Sequence, residues 1–271
     1  MRVWDEARRD SPARRCLLSA AARALIIILL GFAGAAHAAN PSALWNIVHG
    51  RCVPDQEQHG NPAPCALVDL SGGVARGYVV LKDRVGATQF LVLPTARITG
   101  IESPVLLAPD TPDYMADAWA ARRFVRARAP GPLSREDLSL AVNSIHGRTQ
   151  NQLHIHVDCL RRDVRDALAA HLAAIGEAWK PFPVALAGHH YIARRLLSAD
   201  LANTDPFLLL AQSSPDARAH IGDFTLVAAG ASFAGRPGFI LLADRADVAR
   251  GNFGSGESLQ DHTCALADAH P

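Results

Sequence analysis

Residues 149–160, TQNQLHIHVDCL, alternate polar and apolar side chains from Gln152 onward. Successive side chains of a strand point to opposite faces, so Gln152, His154, His156 and Asp158 share one side. Leu153, Ile155, Val157 and Cys159 take the other. A chain carrying this strand is committed to a sheet with one face for packing and one for polar work.

The neighbouring segments supply the rest of an α+β chain. Residues 77–81 (GYVVL) and 90–93 (FLVL) are apolar runs joined by a polar loop containing Gly86, the pattern of a hairpin. Residues 138–143 alternate in the same way, and a glycine-bearing loop over 144–149 joins them to the His-bearing strand as a second antiparallel hairpin. Between the hairpins, Thr111-Pro112-Asp113 is a helix start. Tyr114, Ala118, Ala121 and Val125 then recur at helical spacing until Pro130-Gly131-Pro132. The stripe Val164, Leu168, Leu172, Ile175 and Trp179 predicts one helix across 164–179. Short helices are expected at 42–49, at 191–197 (YIARRLL) and after Asp205-Pro206, and a turn-rich segment at 51–64. A final hairpin is expected from 224–228 and 239–242 across a glycine-rich turn. It repeats the layout of the first hairpin, which suggests a degenerate duplication of a half-motif within one chain.

The N-terminus belongs to a different regime. Six arginines precede the apolar run ALIIILLGFAGAA at 24–36, which ends in the small-x-small triplet Ala36-His37-Ala38. The run is shorter than the roughly 20 residues of a spanning helix. Residues 1–38 are therefore expected to be a signal peptide, with an uncleaved N-terminal membrane anchor as the alternative, and 39–271 the folded domain. Residues 1–23 contribute +3 to a chain total of +1, leaving a body of −2 that argues against a large nucleic-acid footprint. Outside the leader, Cys52, Cys65, Cys159 and Cys264 are an even set for an oxidising compartment, with three pairings open. Cys52–Cys65 closing a short loop, with Cys159–Cys264 tying the C-terminus to the His-bearing strand, is the favoured set; buried thiols are the alternative.

The polar face admits three readings. Imidazoles and a carboxylate are competent metal ligands, although residues two apart on a strand sit about 6–7 Å apart, too far to chelate without help. The face could instead be solvated and structural. The third reading is nucleophilic catalysis on phosphorus, in which a phosphohistidine divides one displacement into two.

Gln152-Leu-His154-Ile-His156-Val-Asp158 resembles the histidine-triad signature, with Gln at its first position. Residues 88–94 (TQFLVLP) resemble the earlier strand of that superfamily, and Asn143 takes the place of the Asn before its catalytic hairpin. Over about 220 residues the chain is similar to the CDP-diacylglycerol pyrophosphatases of bacterial envelopes. The similarity is carried by GYVVLKD (77–83), LPTARITGIESPVLL (93–107), GRTQNQLHIHVDCLRRDVR (147–165), GHHYIARRL (188–196) and DHTC (261–264).

This resemblance implies an HIT-like antiparallel sheet with helices, and hydrolysis of CDP-diacylglycerol to CMP and phosphatidate in phospholipid metabolism. His154 would be the nucleophile, with His156 and Gln152 as its catalytic companions. Asn143, Thr149, Asn151, Asp83, Lys82, Gln89, His189 and Arg148 are the substrate-binding candidates. Lys82, Arg148, Arg194 and Arg195 would neutralise pyrophosphate charge, and His146 would flank the nucleotide. Asp158 would pair with Arg161 or orient His156. Gln152 and Gln89 replace two histidines of the pattern, and an amide cannot act as a general acid. The chemistry needs no metal and no cofactor. The implied partners are CDP-diacylglycerol, other nucleotide pyrophosphates and a membrane lipid surface, at the periplasmic side of the cell envelope. Outside that chemistry stand a hydrolase of soluble nucleotide pyrophosphates and a non-catalytic module holding a nucleotide or metal.

Overall fold

The computed structural model describes residues 40–267; the leader expected at 1–38 lies outside them. Ten strands form one antiparallel sheet: β1 Leu67–Asp69, β2 Tyr78–Lys82, β3 Phe90–Pro94, β4 Leu138–Val142, β5 Ile155–Leu160, β6 Lys180–Pro181, β7 Ile192–Leu196, β8 Phe224–Phe233, β9 Arg236–Arg245 and β10 Gln260–Asp261. The helices are α1 Ala43–Ile47, α2 Val53–His59, α3 Tyr114–Arg126, α4 Arg162–Ala170, α5 Pro206–Ala211 and α6 Pro215–Ala219. The α+β expectation holds. Among the described residues no helix is long and apolar enough to cross a membrane.

Strand order is β1-β2-β3-β5-β4-β8-β9-β7-β6. The run β2-β3-β5-β4 is mirrored by β6-β7-β9-β8, and the two halves meet at the β4–β8 pair, where Leu140 lies opposite Ala228. Each half is a hairpin, a helical crossover and a second hairpin. The repeat differs from the expected one in its partners: the last hairpin, β8–β9, stands where β4–β5 stands, not where β2–β3 does. Strand pairing decides this correspondence, and local composition cannot report it.

The alternation of β5 sorts the core into faces. Ile155, Val157 and Cys159 join Val92, Leu140 and Leu226 beneath α3, which contributes Met115, Ala118 and Trp119, and beneath α5, which contributes Phe207 and Leu210. On the opposite face, α4 sets Val164 and Leu168 against Val227, Ile240 and Leu242. Also on that side, Val48, Cys52 and Val53 cover Val79, Leu91 and Leu93.

Three local expectations are corrected. Residues 51–59 are helical, because one π turn at Val48–Cys52 carries α1 into α2, Pro54 sits in a first turn, and Gly60 caps the end at φ 64°. The helix predicted across 164–179 ends at Ala170, and Ile175 is extended. Its stripe is split: Ile175 stays with α4 on one face while Trp179 packs on the other and donates its indole N–H to Leu209 O at 3.0 Å. Residues 192–196 are strand β7, because pairing with β9 from Ile192–Ala243 to Leu196–Phe239 outweighs a weak helical pattern.

Both favoured disulfides form, Cys52–Cys65 and Cys159–Cys264. The second has a topological effect. Strand β3 pairs β5 only as far as Val157, and β10 takes over the same edge at Cys159 and Leu160. The C-terminal strap is thus stitched beside the polar face by two backbone pairs and one covalent bond.

Candidate active site

His154 lies just before β5, in an extended lead-in clamped to the segment after β3. Leu153 N–H donates to Ile98 O at 2.6 Å, and the Gln152 side-chain amide donates to Pro94 O and Ala96 O, both at 2.9 Å. Both amide hydrogens of Gln152 are thereby committed to backbone. The side chain is a clamp, and neither hydrogen is left for a phosphate.

The His154 Nδ1–H donates to Gln152 O at 2.7 Å. A carbonyl can only accept, so the proton sits on Nδ1 and the lone pair on Nε2. The residue is 8% exposed. Burial, and next the neighbouring His156, lower its pKa from 6.5 to about 4, so the ring is neutral at pH 7. A neutral imidazole with Nδ1 anchored and Nε2 unencumbered is chemically a nucleophile.

His156 stands 5.0 Å away, centroid to centroid, at an interplanar angle of 65°. Gln89 Nε2 donates to its Nδ1 at 2.9 Å, which leaves Nε2–H facing Glu257 Oε2 at 3.2 Å. That contact has ion-pair distance but not hydrogen-bond alignment, and Nε2 has no aligned acceptor. Flipping the Gln89 amide would turn an unprotonated Nε2 towards the carboxylate, which disfavours the flip. Burial lowers the His156 pKa to about 4 as well.

Asn143 links this pair to the strap. Its Nδ2 donates to Glu257 Oε2 at 2.8 Å, and its Oδ1 accepts from Glu257 N–H at 3.2 Å. Asp158, fully buried, accepts from Thr88 Oγ1 and from His262 Nδ1, both at 2.8 Å. It does not pair with Arg161, which bonds Asp163. Glu257 and His262 escaped the sequence reading. His262 lay within the DHTC segment, whereas nothing in residues 254–259 sets Glu257 apart.

The other candidates divide. Asp83 lies close enough for its charge to favour protonation of both His156 and His262. Arg148 lines the same small cleft as His154, Asn143 and Gly100, but its guanidinium is held bidentately by Glu102 at 2.6 and 2.8 Å. Lys82 shares the face of Phe90 and Val157, opposite to His156, and its ammonium donates to Asp83 O and Gly86 O. Thr149 and Asn151 are exposed, and Asn151 N–H donates to Pro41 O at 2.7 Å. His146 faces Asp223 at 3.4 Å. His189, Arg194 and Arg195 belong to the second half, near Asp244, Trp179 and Glu177 respectively. In that half β9 presents Ile240 and Leu242 on the face where β5 presents His156 and Asp158.

Fold and site together define a class: single-sheet α+β domains that keep a neutral imidazole pair and a carboxylate network at one end of a central strand. The sequence model of the CDP-diacylglycerol pyrophosphatase family matches residues 39–268. The chain is also 42% identical over 244 residues to a CDP-diacylglycerol pyrophosphatase of Yersinia pestis, covering 89% of this chain and 91% of that protein. The chain belongs to the CDP-diacylglycerol pyrophosphatase family.

Proposed function

We propose that this protein hydrolyses the pyrophosphate of CDP-diacylglycerol to CMP and phosphatidate, with His154 Nε2 as the nucleophile. The reading rests on one observation above the others: the Gln152 carbonyl fixes the His154 tautomer and leaves an unpartnered Nε2 lone pair on a neutral ring. Family membership supplies the substrate. Attack of Nε2 on the cytidylyl phosphorus forms an N–P bond and releases phosphatidate, and water then cleaves that bond to release CMP. His156 orients from 5.0 Å away, and Asn143 holds Glu257 in place behind it. The protein acts at the periplasmic side of a bacterial membrane, delivered by residues 1–38, where the lipid surface supplies its substrate.

The test is turnover of CDP-diacylglycerol in detergent micelles by the wild type and by His154→Ala. Loss of at least 10³-fold with unchanged urea stability is expected, because a missing nucleophile leaves only binding and electrostatic effects. Near-normal turnover by folded His154→Ala would end the nucleophile assignment.

A further inference from the structure

With Gln152 spent on backbone carbonyls and both site histidines neutral, the reaction lacks an evident proton carrier. We propose that His262, backed by the buried Asp158, is the proton-transfer group of this site, standing in for the triad imidazole that Gln152 replaces. The inference rests on His154 being the nucleophile and adds the residue that completes its chemistry.

The geometry carries it. Asp158 Oδ1 accepts from Thr88 Oγ1 at 2.8 Å and from Cys159 N–H at 2.9 Å, so Oδ2 is reserved for His262 Nδ1–H at 2.8 Å. This is the orienting arrangement of a carboxylate behind a general acid–base imidazole. It fixes Nδ1 as the anchored nitrogen and leaves Nε2 to exchange protons. Nε2 lies 3.9 Å from Glu257 Oε1, whose other oxygen lies 3.2 Å from His156. The His262 side chain is 23% exposed, enough to meet a substrate that the buried Asp158 cannot reach.

The fold spends specific features on holding this ring. Ala87 N–H and Thr88 N–H donate to His262 O at 2.9 and 3.3 Å. A Cβ at Gly86, where φ is +67°, would come within 2.3 Å of His262 Cβ, so only glycine lets the β2–β3 loop close over it. Cys159–Cys264 bonds the residue after Asp158 to the second residue after His262. The titratable groups facing the ring are Asp158 and the neutral His156 on β5, Glu257 on the strap, Asp83 on the β2–β3 loop and Asp261 on β10. The Asp158 hydrogen bond, with the charges of Glu257 and Asp83, raises the His262 pKa and keeps it protonated further towards neutrality.

The proton count closes. As His154 Nε2 bonds to phosphorus, the anhydride P–O bond breaks with its electron pair on the leaving oxygen, which takes the proton from His262 Nε2. Water then attacks phosphorus, its proton goes to His262 Nε2, and the N–P electron pair returns to His154. Both enzyme groups end as they began.

Full-length wild type, His262→Asn and His154→Ala would be compared on phenyl and p-nitrophenyl esters of CMP, which differ in leaving-group basicity. His262→Asn is expected to lose about 10²-fold or more on the phenyl ester and much less on the p-nitrophenyl ester, as general-acid catalysis requires. Its rate profile should also lose the alkaline limb, where activity falls as His262 deprotonates. Equal losses on both esters, or an unchanged limb, would overturn the assignment. Activity abolished by a chelator and restored by a divalent cation would also overturn it, giving the cluster to a metal instead. Should His262→Asn fail to fold, Glu257→Gln serves: removing that charge should move the alkaline limb to lower pH, and an unmoved limb counts against the proposal. His154→Ala separates the two ideas. If it is active, the nucleophile assignment fails; if it is inactive while His262→Asn loses rate uniformly, only the His262 proposal fails.

Discussion

Removing one disulfide should cost far more than removing the other. Cys52–Cys65 spans 13 residues and Cys159–Cys264 spans 105, and the two loops do not overlap. The chain-entropy relation assigns a 105-residue closure about 4.8 kcal/mol and a 13-residue closure about 2.9 kcal/mol at 25 °C. All four cysteines are at most 5% exposed, so replacing each pair by alanines removes comparable buried sulfur. The difference of about 2 kcal/mol therefore isolates loop length. Urea unfolding of Cys52→Ala/Cys65→Ala and Cys159→Ala/Cys264→Ala, followed by tryptophan fluorescence, reads it as a lower midpoint for the second. Function should diverge as well. The long bridge pins Asp158 and His262 beside each other, so the second variant should lose turnover while still folded, and the first should keep it. Equal midpoints, or full turnover in folded Cys159→Ala/Cys264→Ala, would refute the view that this bond both stabilises the chain and assembles the site.

Acid should weaken the fold through the histidine pair. His154 and His156 fall from 6.5 to about 4 on folding, so the unfolded chain binds more protons between these values. Stability is then fully present above 6.5 and is lost as pH falls towards 4, by about 2 kcal/mol per ring at pH 5. Urea midpoints at pH 7 and pH 5 check this, and His156→Gln should show a smaller drop than the wild type. Gln152→Glu should destabilise the protein by about 2 kcal/mol or more, because a carboxylate would face the Pro94 and Ala96 carbonyls. A stable Gln152→Glu protein altered only in KM would mean that the side chain serves substrate instead. Asn143→Ala should lower kcat more than it raises KM, since Asn143 bonds Glu257 on both backbone and side chain; a change in KM alone would contradict that positioning role.

Period-two alternation sufficed to place His154, His156 and Asp158 on one face and Ile155, Val157 and Cys159 on the other, because strand geometry is local. Capping and glycine-turn signals located α3 and the three main hairpins for the same reason, and the even cysteine set made the disulfides legible. Short segments were not decided locally. Residues 192–196 became a strand because β9 offered an edge, and the stripe of 164–179 broke because its ends belong to different faces. The site was divided in the same way. Sequence alone determined the nucleophile candidate and the face that carries it. Only the tertiary structure brought Glu257 and His262 to that face, from more than 100 residues along the chain, and committed the Gln152 amide to the Pro94 and Ala96 carbonyls. The reason is physical: side-chain direction along a strand follows from backbone geometry, whereas which distant strap lies across that strand depends on the sheet order and the Cys159–Cys264 bond.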